Sequence, residues 1–414
     1  MSFATPSLLI VLGAAAAAPV IGMRLRKLRL PAVVLELALG VALGPQGLAW
    51  VSLDASINAL AGMGMAMLFF LAGCEIDLPA IHGQPLRSAL AGWLLSLGAG
   101  LGLAWLGLQQ GWLSGRTPAL VAGIAFSTTA LGILVPMLRD AEALDTLFGR
   151  RVMAAGVVGE LGPILLMSVL LSERASAGQQ SLLVLAFLLI VFLLAWALAR
   201  RVAIPRYLHA LQRTLTQASQ LPVRITMFLV CLLAWLAEEF GLDLALGTLA
   251  AGMIIRLLTH DAKTHLLQEK LDSIGFGFLV PVFFVCSGLK LDVAAVFGSA
   301  QGLRLTGLYL LGLMLAHLPI LLLALWQMRG REALGLSLLS ATTLSLIVAM
   351  TEIADRSGHM KASESGPLVM AGVLSVVLLP QLAKVALAPW LKRPANSAPN
   401  AAPHASPYTD QDGL

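Results

Sequence analysis

A chain of 414 residues that is 58% hydrophobic and 12% charged, with a formal net charge of +5, lies far from the roughly 25% charged content of soluble domains. The composition excludes an ordinary soluble domain and fits a polytopic, all-α membrane protein. The positive balance gives no reason to invoke nucleic acid.

Apolar runs near the ~20 residues needed to cross hydrocarbon recur between residues 7 and 391. They predict thirteen transmembrane helices, centred near Ala16, Leu39, Met65, Leu97, Thr128, Leu161, Ile190, Leu232, Ala250, Leu279, Leu313, Ser345 and Val376. No Lys or Arg precedes span 1, whereas Arg24, Arg26, Lys27 and Arg29 follow it, the opposite of a cleaved signal peptide. Placing that cluster in the cytoplasm puts the N-terminus outside and the C-terminus inside. All but six of the 27 Lys and Arg residues (Arg116, Arg174, Lys290, Arg304, Arg356 and Lys361) then fall on the inner face.

Span 2 carries a carboxylate, Glu36, in the run LELALG at 35–40. It is assigned either to the inner funnel or, equally, to a helix-packing or interfacial role. Span 3 closes on FFLAGCEID at 69–77, where Glu75 and Asp77 read as a solvated end. Span 5 holds Ser127, Thr128 and Thr129 at mid-depth, followed by Pro136, which leaves the carbonyl of Gly132 without its helical donor.

Span 6 contains a lone charge, Glu160, in VVGELGPILL at 157–166. An ionised carboxylate at the bilayer centre costs several kcal/mol, which makes it a functional candidate by default. Glycines at 156, 159 and 162 surround it, and Pro163 frees the carbonyl of Gly159. Carboxylate, carbonyl and hydroxyl oxygens together suit a hard cation such as sodium, or a proton on Glu160 alone. A protonated structural acid bonded to a neighbouring helix is the plainer alternative.

The second half echoes the first. LELALG at 35–40 matches LDLALG at 242–247, FFLAGCEID at 69–77 matches FFVCSGLKLD at 283–292, and STTALGILV at 127–135 matches ATTLSLIVA at 341–349. Each match joins spans seven apart, so the second copy enters the membrane from the opposite side. Inverted repeats with interrupted helices mark secondary transporters. Spans 5 and 12 are accordingly predicted to be interrupted and to cross, with Ser340, Thr342, Thr343 and Ser345 as the second polar cluster. Ser and Thr side chains bonded within their own helices are the structural alternative. The counterpart of Glu160, near 372–375, has no carboxylate.

The organisation read from this pattern is a first repeat with linker span 7 over 1–199, a basic cytoplasmic loop over 200–221, a second repeat over 222–391, and a disordered tail over 392–414. Glu238, Glu239 and Asp243 form an acidic outer turn, and His317 in span 11 reads as a hydrogen-bonded packing residue. Cys74, Cys231 and Cys286 have no zinc or disulfide spacing. No HExxH, GxSxG or CxxC arrangement supports an intramembrane enzyme, and no cofactor is expected.

PAVVLELALGVALGPQGL, AFSTTALGILVPML, GRRVMAAGVVGELGPILL, LALGTLAAGMI and FLVPVFFVCSGLKLD jointly resemble the monovalent cation:proton antiporter superfamily, in its second, largely bacterial branch. The likeness covers nearly the whole membrane portion. It implies a homodimer in the lipid of a bacterial inner membrane that exchanges Na+ or K+ for H+ by alternating access. It also implies that Glu160 carries ion and proton, with Gly159 and Ser127 beside it and Thr128 and Thr129 at the unwound crossover. Glu160 and Thr129 are the expected Na+ or K+ ligands, and Ser340, Thr342, Thr343 and Glu36 support them. Family members usually carry an acidic pair, or Asn or Gln before Asp, where this chain has Gly159 and Glu160. One carboxylate predicts an electroneutral cycle. A gated cation channel or a transport-inactive sensor on the same fold is the alternative.

Overall fold

The computed structural model describes residues 6–25, 30–76, 81–131, 134–135, 138, 143–144, 146–170, 177–202, 219–259 and 265–391. All regular structure among these residues is helical. Ten helices are long and apolar enough to cross a membrane, and two shorter apolar ones, Ala32–Leu43 and Leu244–Leu258, stand where spans 2 and 9 were expected. Span 5 appears as the helix Arg116–Ala125 running into an irregular stretch at 126–130. Asp77, Gly132, Pro136, most of the basic loop and the tail at 392–414 lie outside the described residues.

Polar side chains punctuate the apolar helices. Asp54, Asp243 and Ser299 cap spans 3, 9 and 11 by accepting from the amides of Ile57 (2.8 Å), Ala245 (2.8 Å) and Gly302 (3.0 Å). The tight turn between spans 8 and 9 needs a left-handed residue, supplied by Gly241 at φ 69°. Pro281 follows a π-helical turn at Gly275–Leu279 in span 10, a wider turn that accommodates the missing proline amide.

The inverted repeat is visible in the element starts. Spans 1, 2, 4, 5 and 6 begin at Pro6, Ala32, Gln84, Arg116 and Leu147. Their counterparts begin at Leu221, Leu244, Ala300, Gly330 and Ala362, offsets of 212 to 216 residues. Spans 1–3 pack with 8–10 in one bundle, and spans 4–6 pack with 11–13 in another. Span 12, Gly330–Arg356, is the most buried membrane helix and span 7, within Ala177–Val202, the least.

Two glycine crossings join the halves within the first bundle. A Cβ on Gly40 of span 2 would run into the carbonyl of Val285 in span 10, and one on Gly288 would meet the carbonyl of Leu37. The mirror crossing pairs Gly73 of span 3 with Gly252 of span 9, against the carbonyls of Leu249 and Phe70. Backbones approach this closely only through small residues. These crossings correct one expectation. They make Gly252 the counterpart of Gly40, whereas the LELALG and LDLALG match aligns Gly40 with Gly247, five residues out of register. Small apolar residues recur in several frames of both helices, so the letters match in a frame that the packing does not use.

Candidate functional site

Spans 5 and 12 both unwind at the predicted polar clusters, and the two breaks touch. In span 5 the last turn tightens, with Ser127 and Thr128 amides reaching back to Ile124 and Ala125 at 3.0 and 3.2 Å. In span 12 the helix stops at Ser340 and resumes at Ser345. The break residues then satisfy one another. The Ala130 amide donates to the Thr342 carbonyl (3.1 Å), the Thr129 hydroxyl to the Ser340 carbonyl (2.7 Å), and the Thr128 hydroxyl pairs with that of Thr343 (2.9 Å). Unwound backbone in hydrocarbon survives only with such partners.

Spans 6 and 13 tie off the breaks from behind, each in its own half. The Gly159 carbonyl, which Pro163 deprives of a helical donor, accepts the Thr129 amide at 3.0 Å. The next side chain, Glu160, accepts the Leu131 amide on Oε2 at 3.2 Å. In the second half the Ser375 hydroxyl accepts the Thr343 amide (3.1 Å) and donates to the Thr343 carbonyl (2.8 Å). Glu160 and Ser375 thus stand at matching places in spans 6 and 13 and each holds a break amide, Leu131 in one half and Thr343 in the other; of the two, only Glu160 carries a charge.

Glu160 is 5% exposed and, among the described residues, has no basic partner and no donor besides Leu131. A carboxylate removed from water without a counter-charge must be neutralised, by a proton or by a bound cation. Gly159 adds no second acid, and the packing shows why. A Cβ there would lie 2.5 Å from Thr129 Oγ1 and 2.7 Å from Thr129 Cβ, so the threonine occupies the space of a side chain at 159.

A cavity of about 420 Å³ approaches the site from the end of span 6 at Leu170. Ile164, Met167 and Ser168 line it, four, seven and eight residues beyond Glu160 and therefore on the same helix face. Asp243, Glu238, Leu346 and Met350 complete the wall. Burial pushes the Asp243 carboxyl above its ordinary range, against the pull of the Ala245 amide and Arg356.

The remaining expected residues divide. Ser127 and Thr342 bond back to their own helices, at the carbonyls of Ile124 (2.8 Å) and Leu338 (3.0 Å). The Ser340 hydroxyl is buried and has no partner among the described residues. Glu36 is buried in span 2, outside the group of residues that meets Glu160. His317 marks the break within span 11 and bonds the Leu313 carbonyl at 2.8 Å, a packing role. Sequence reasoning did not find the Leu131 amide or Trp93, whose indole lies against Gly162. The glycine run around Glu160 was the only trace of that close approach.

The family described as Sodium/hydrogen exchanger, transmembrane, matches residues 12–390. This chain belongs to the sodium/hydrogen exchanger family. YjbQ of Bacillus subtilis is 28% identical over 395 residues, covering 90% of this chain. The chain spans only 62% of that relative's length. The Na(+)/H(+) antiporter of Enterococcus hirae is 26% identical over 87% of this chain and 92% of its own. GerN of Bacillus cereus, a Na(+)/H(+)-K(+) antiporter, is 25% identical over 86% and 89%. The solved sodium proton antiporter MjNhaP1 of Methanocaldococcus jannaschii at pH 8 has the same fold, with a TM-score of 0.67 at 14% identity over 93% of this chain and 98% of that one.

Proposed function

We propose that the protein exchanges Na+ or K+ for H+ by alternating access, with cation and proton competing for Glu160. The observation that carries this reading is a buried carboxylate without a counter-charge, held against an unwound helix one turn below a cavity. One Glu160 oxygen rests on the Leu131 amide, and the other, with no donor among the described residues, is left for a cation or a proton. The Thr129 hydroxyl oxygen, which donates its hydrogen to Ser340, keeps lone pairs for a cation. The Gly159 carbonyl accepts the Thr129 amide and keeps a second lone pair for the cation, and water in the cavity supplies the remaining oxygens. Loading a cation expels the proton, and loading a proton expels the cation. The names of the relatives support both Na+ and K+ as substrates.

In this reading the cavity opens to the outside, the N-terminus is external, and a homodimer sits in a bacterial inner membrane. The test is reconstitution into vesicles with a lumenal pH dye and successive addition of sodium, lithium and potassium. Wild-type protein gives saturable, cation-dependent pH changes. Glu160→Gln keeps the side-chain volume, inserts and folds, and gives none. Wild-type responses in Glu160→Gln remove the residue from the cycle, and large unitary currents in planar bilayers replace exchange by channel flow.

A further inference from the structure

A second cavity, of about 240 Å³, lies between spans 4 and 11 and shares no wall with the one above Glu160. Leu106 and Leu311 at its rim are 56% and 49% exposed, on helices that cross the membrane, so the mouth faces hydrocarbon rather than water. The lining side chains are apolar apart from the Trp112 indole N–H and the Tyr309 hydroxyl. The Tyr309 hydroxyl is buried in the wall and has no hydrogen-bond partner among the described residues, and a buried donor left unpaired is destabilising. At one end the exposed Arg304 guanidinium lies 5.5 Å from the ring of Trp112, another wall residue. An exposed cation beside tryptophan near a helix end is the composition of the lipid headgroup level.

We propose that this cavity is a binding site for one anionic phospholipid. One acyl chain fills the cavity, the Tyr309 hydroxyl donates to its ester carbonyl, and the phosphate rests on Arg304. Apolar surface facing the bilayer accepts a chain without displacing ordered water. Cation, aromatic belt and stranded donor stand in the order in which a phospholipid presents phosphate, glycerol ester and chain. The site also reaches the transport machinery. Its floor is Phe126, the first residue of the span 5 break, whose ring lies 5.8 Å from that of Tyr309 and fills the notch at Gly312. A chain in the cavity supports Phe126 and, through it, the segment carrying Thr128 and Thr129.

The test uses the full chain. Lipid retained through delipidating detergent is identified by native mass spectrometry, and exchange is compared in phosphatidylcholine vesicles with and without phosphatidylglycerol. The lipid readout stands independently of the exchange mechanism, and it is repeated in Glu160→Gln. Wild type and Glu160→Gln are expected to retain one phosphatidylglycerol in preference to phosphatidylcholine, and wild-type exchange to rise several-fold with the anionic lipid. Gly107→Leu fills the cavity, because a Cβ at Gly107 has its nearest neighbours at an ordinary 3.6 Å. It is expected to lose the retained lipid and the response while keeping basal exchange. Arg304→Gln is expected to bind both lipids equally. Retention and response unchanged in Gly107→Leu, or equal retention of the two lipids by wild type, overturn the proposal. So does loss of a dimer in Gly107→Leu, which assigns the face to a second copy.

Discussion

The contact between Thr129 and Gly159 makes the residue before Glu160 a steric question before it is a chemical one. Gly159→Ala puts a methyl 2.5 Å from Thr129 Oγ1, and overpacking of this kind costs roughly 1–3 kcal/mol. The expected result is a lower melting temperature in detergent, largely restored when Thr129→Gly is added, because the double variant recovers the space. Additive losses in that double-mutant cycle would show that the two residues do not share it. Thr128 is engaged differently. Thr128→Val strands the Thr343 hydroxyl in a buried place, a penalty of about 1–3 kcal/mol, and loosens the contact between the two breaks. Its apparent cation affinity in vesicles should fall together with its stability. In Thr129→Val the affinity should fall further, since a proposed ligand oxygen is lost. Equal cation dependence in wild type and Thr129→Val would return that hydroxyl to packing alone.

Helix crossings obey the same arithmetic with less freedom to adjust, since backbone rather than a side chain must give way. Gly252→Ala drives a methyl into the Phe70 carbonyl, whereas a Cβ on Gly102, facing outward on span 4, meets nothing within 4 Å. Thermal unfolding should therefore separate the pair, with Gly252→Ala destabilised by roughly 1–3 kcal/mol and Gly102→Ala neutral or stabilised by up to about 1 kcal/mol. Similar melting temperatures for the two would contradict the close crossing. The spans themselves were legible in the sequence because bilayer thickness sets a length that apolar runs reveal directly. The breaks were legible because Ser127, Thr128 and Thr129 and their partners in span 12 are polar where hydrocarbon tolerates little polarity. Glu160 was legible because a lone charge has few structural excuses. The register of span 2 against span 9 was hidden, since Leu, Ala and Gly repeat at spacings that fit more than one frame. The engagement of the Gly159 carbonyl was hidden too. Pro163 announces a freed acceptor, but only the fold shows that the Thr129 amide takes one of its lone pairs.

Across the whole molecule, the inverted halves place one chargeable group and one neutral hydroxyl at equivalent posts, Glu160 and Ser375. If Glu160 alone alternates between cation and proton, one monovalent cation replaces one proton and no net charge crosses. A potential imposed with potassium and valinomycin on vesicles exchanging sodium should then leave the equilibrium pH unchanged. A voltage-dependent shift would call for a second charge, and Glu36→Gln would be the next variant to measure. The two glycine crossings bear on how such a cycle can run. Where carbonyl meets α-carbon with no side chain between, neighbouring helices have no compressible layer in which to slide, and spans 2, 3, 9 and 10 are pinned at two points. Displacement is left to the seam between the bundles, where longer side chains such as Phe69, Ile164 and Leu346 line the cavity. In the proposed exchange cycle the first bundle would then be the chassis and the second the moving carriage, with Glu160 riding on the carriage.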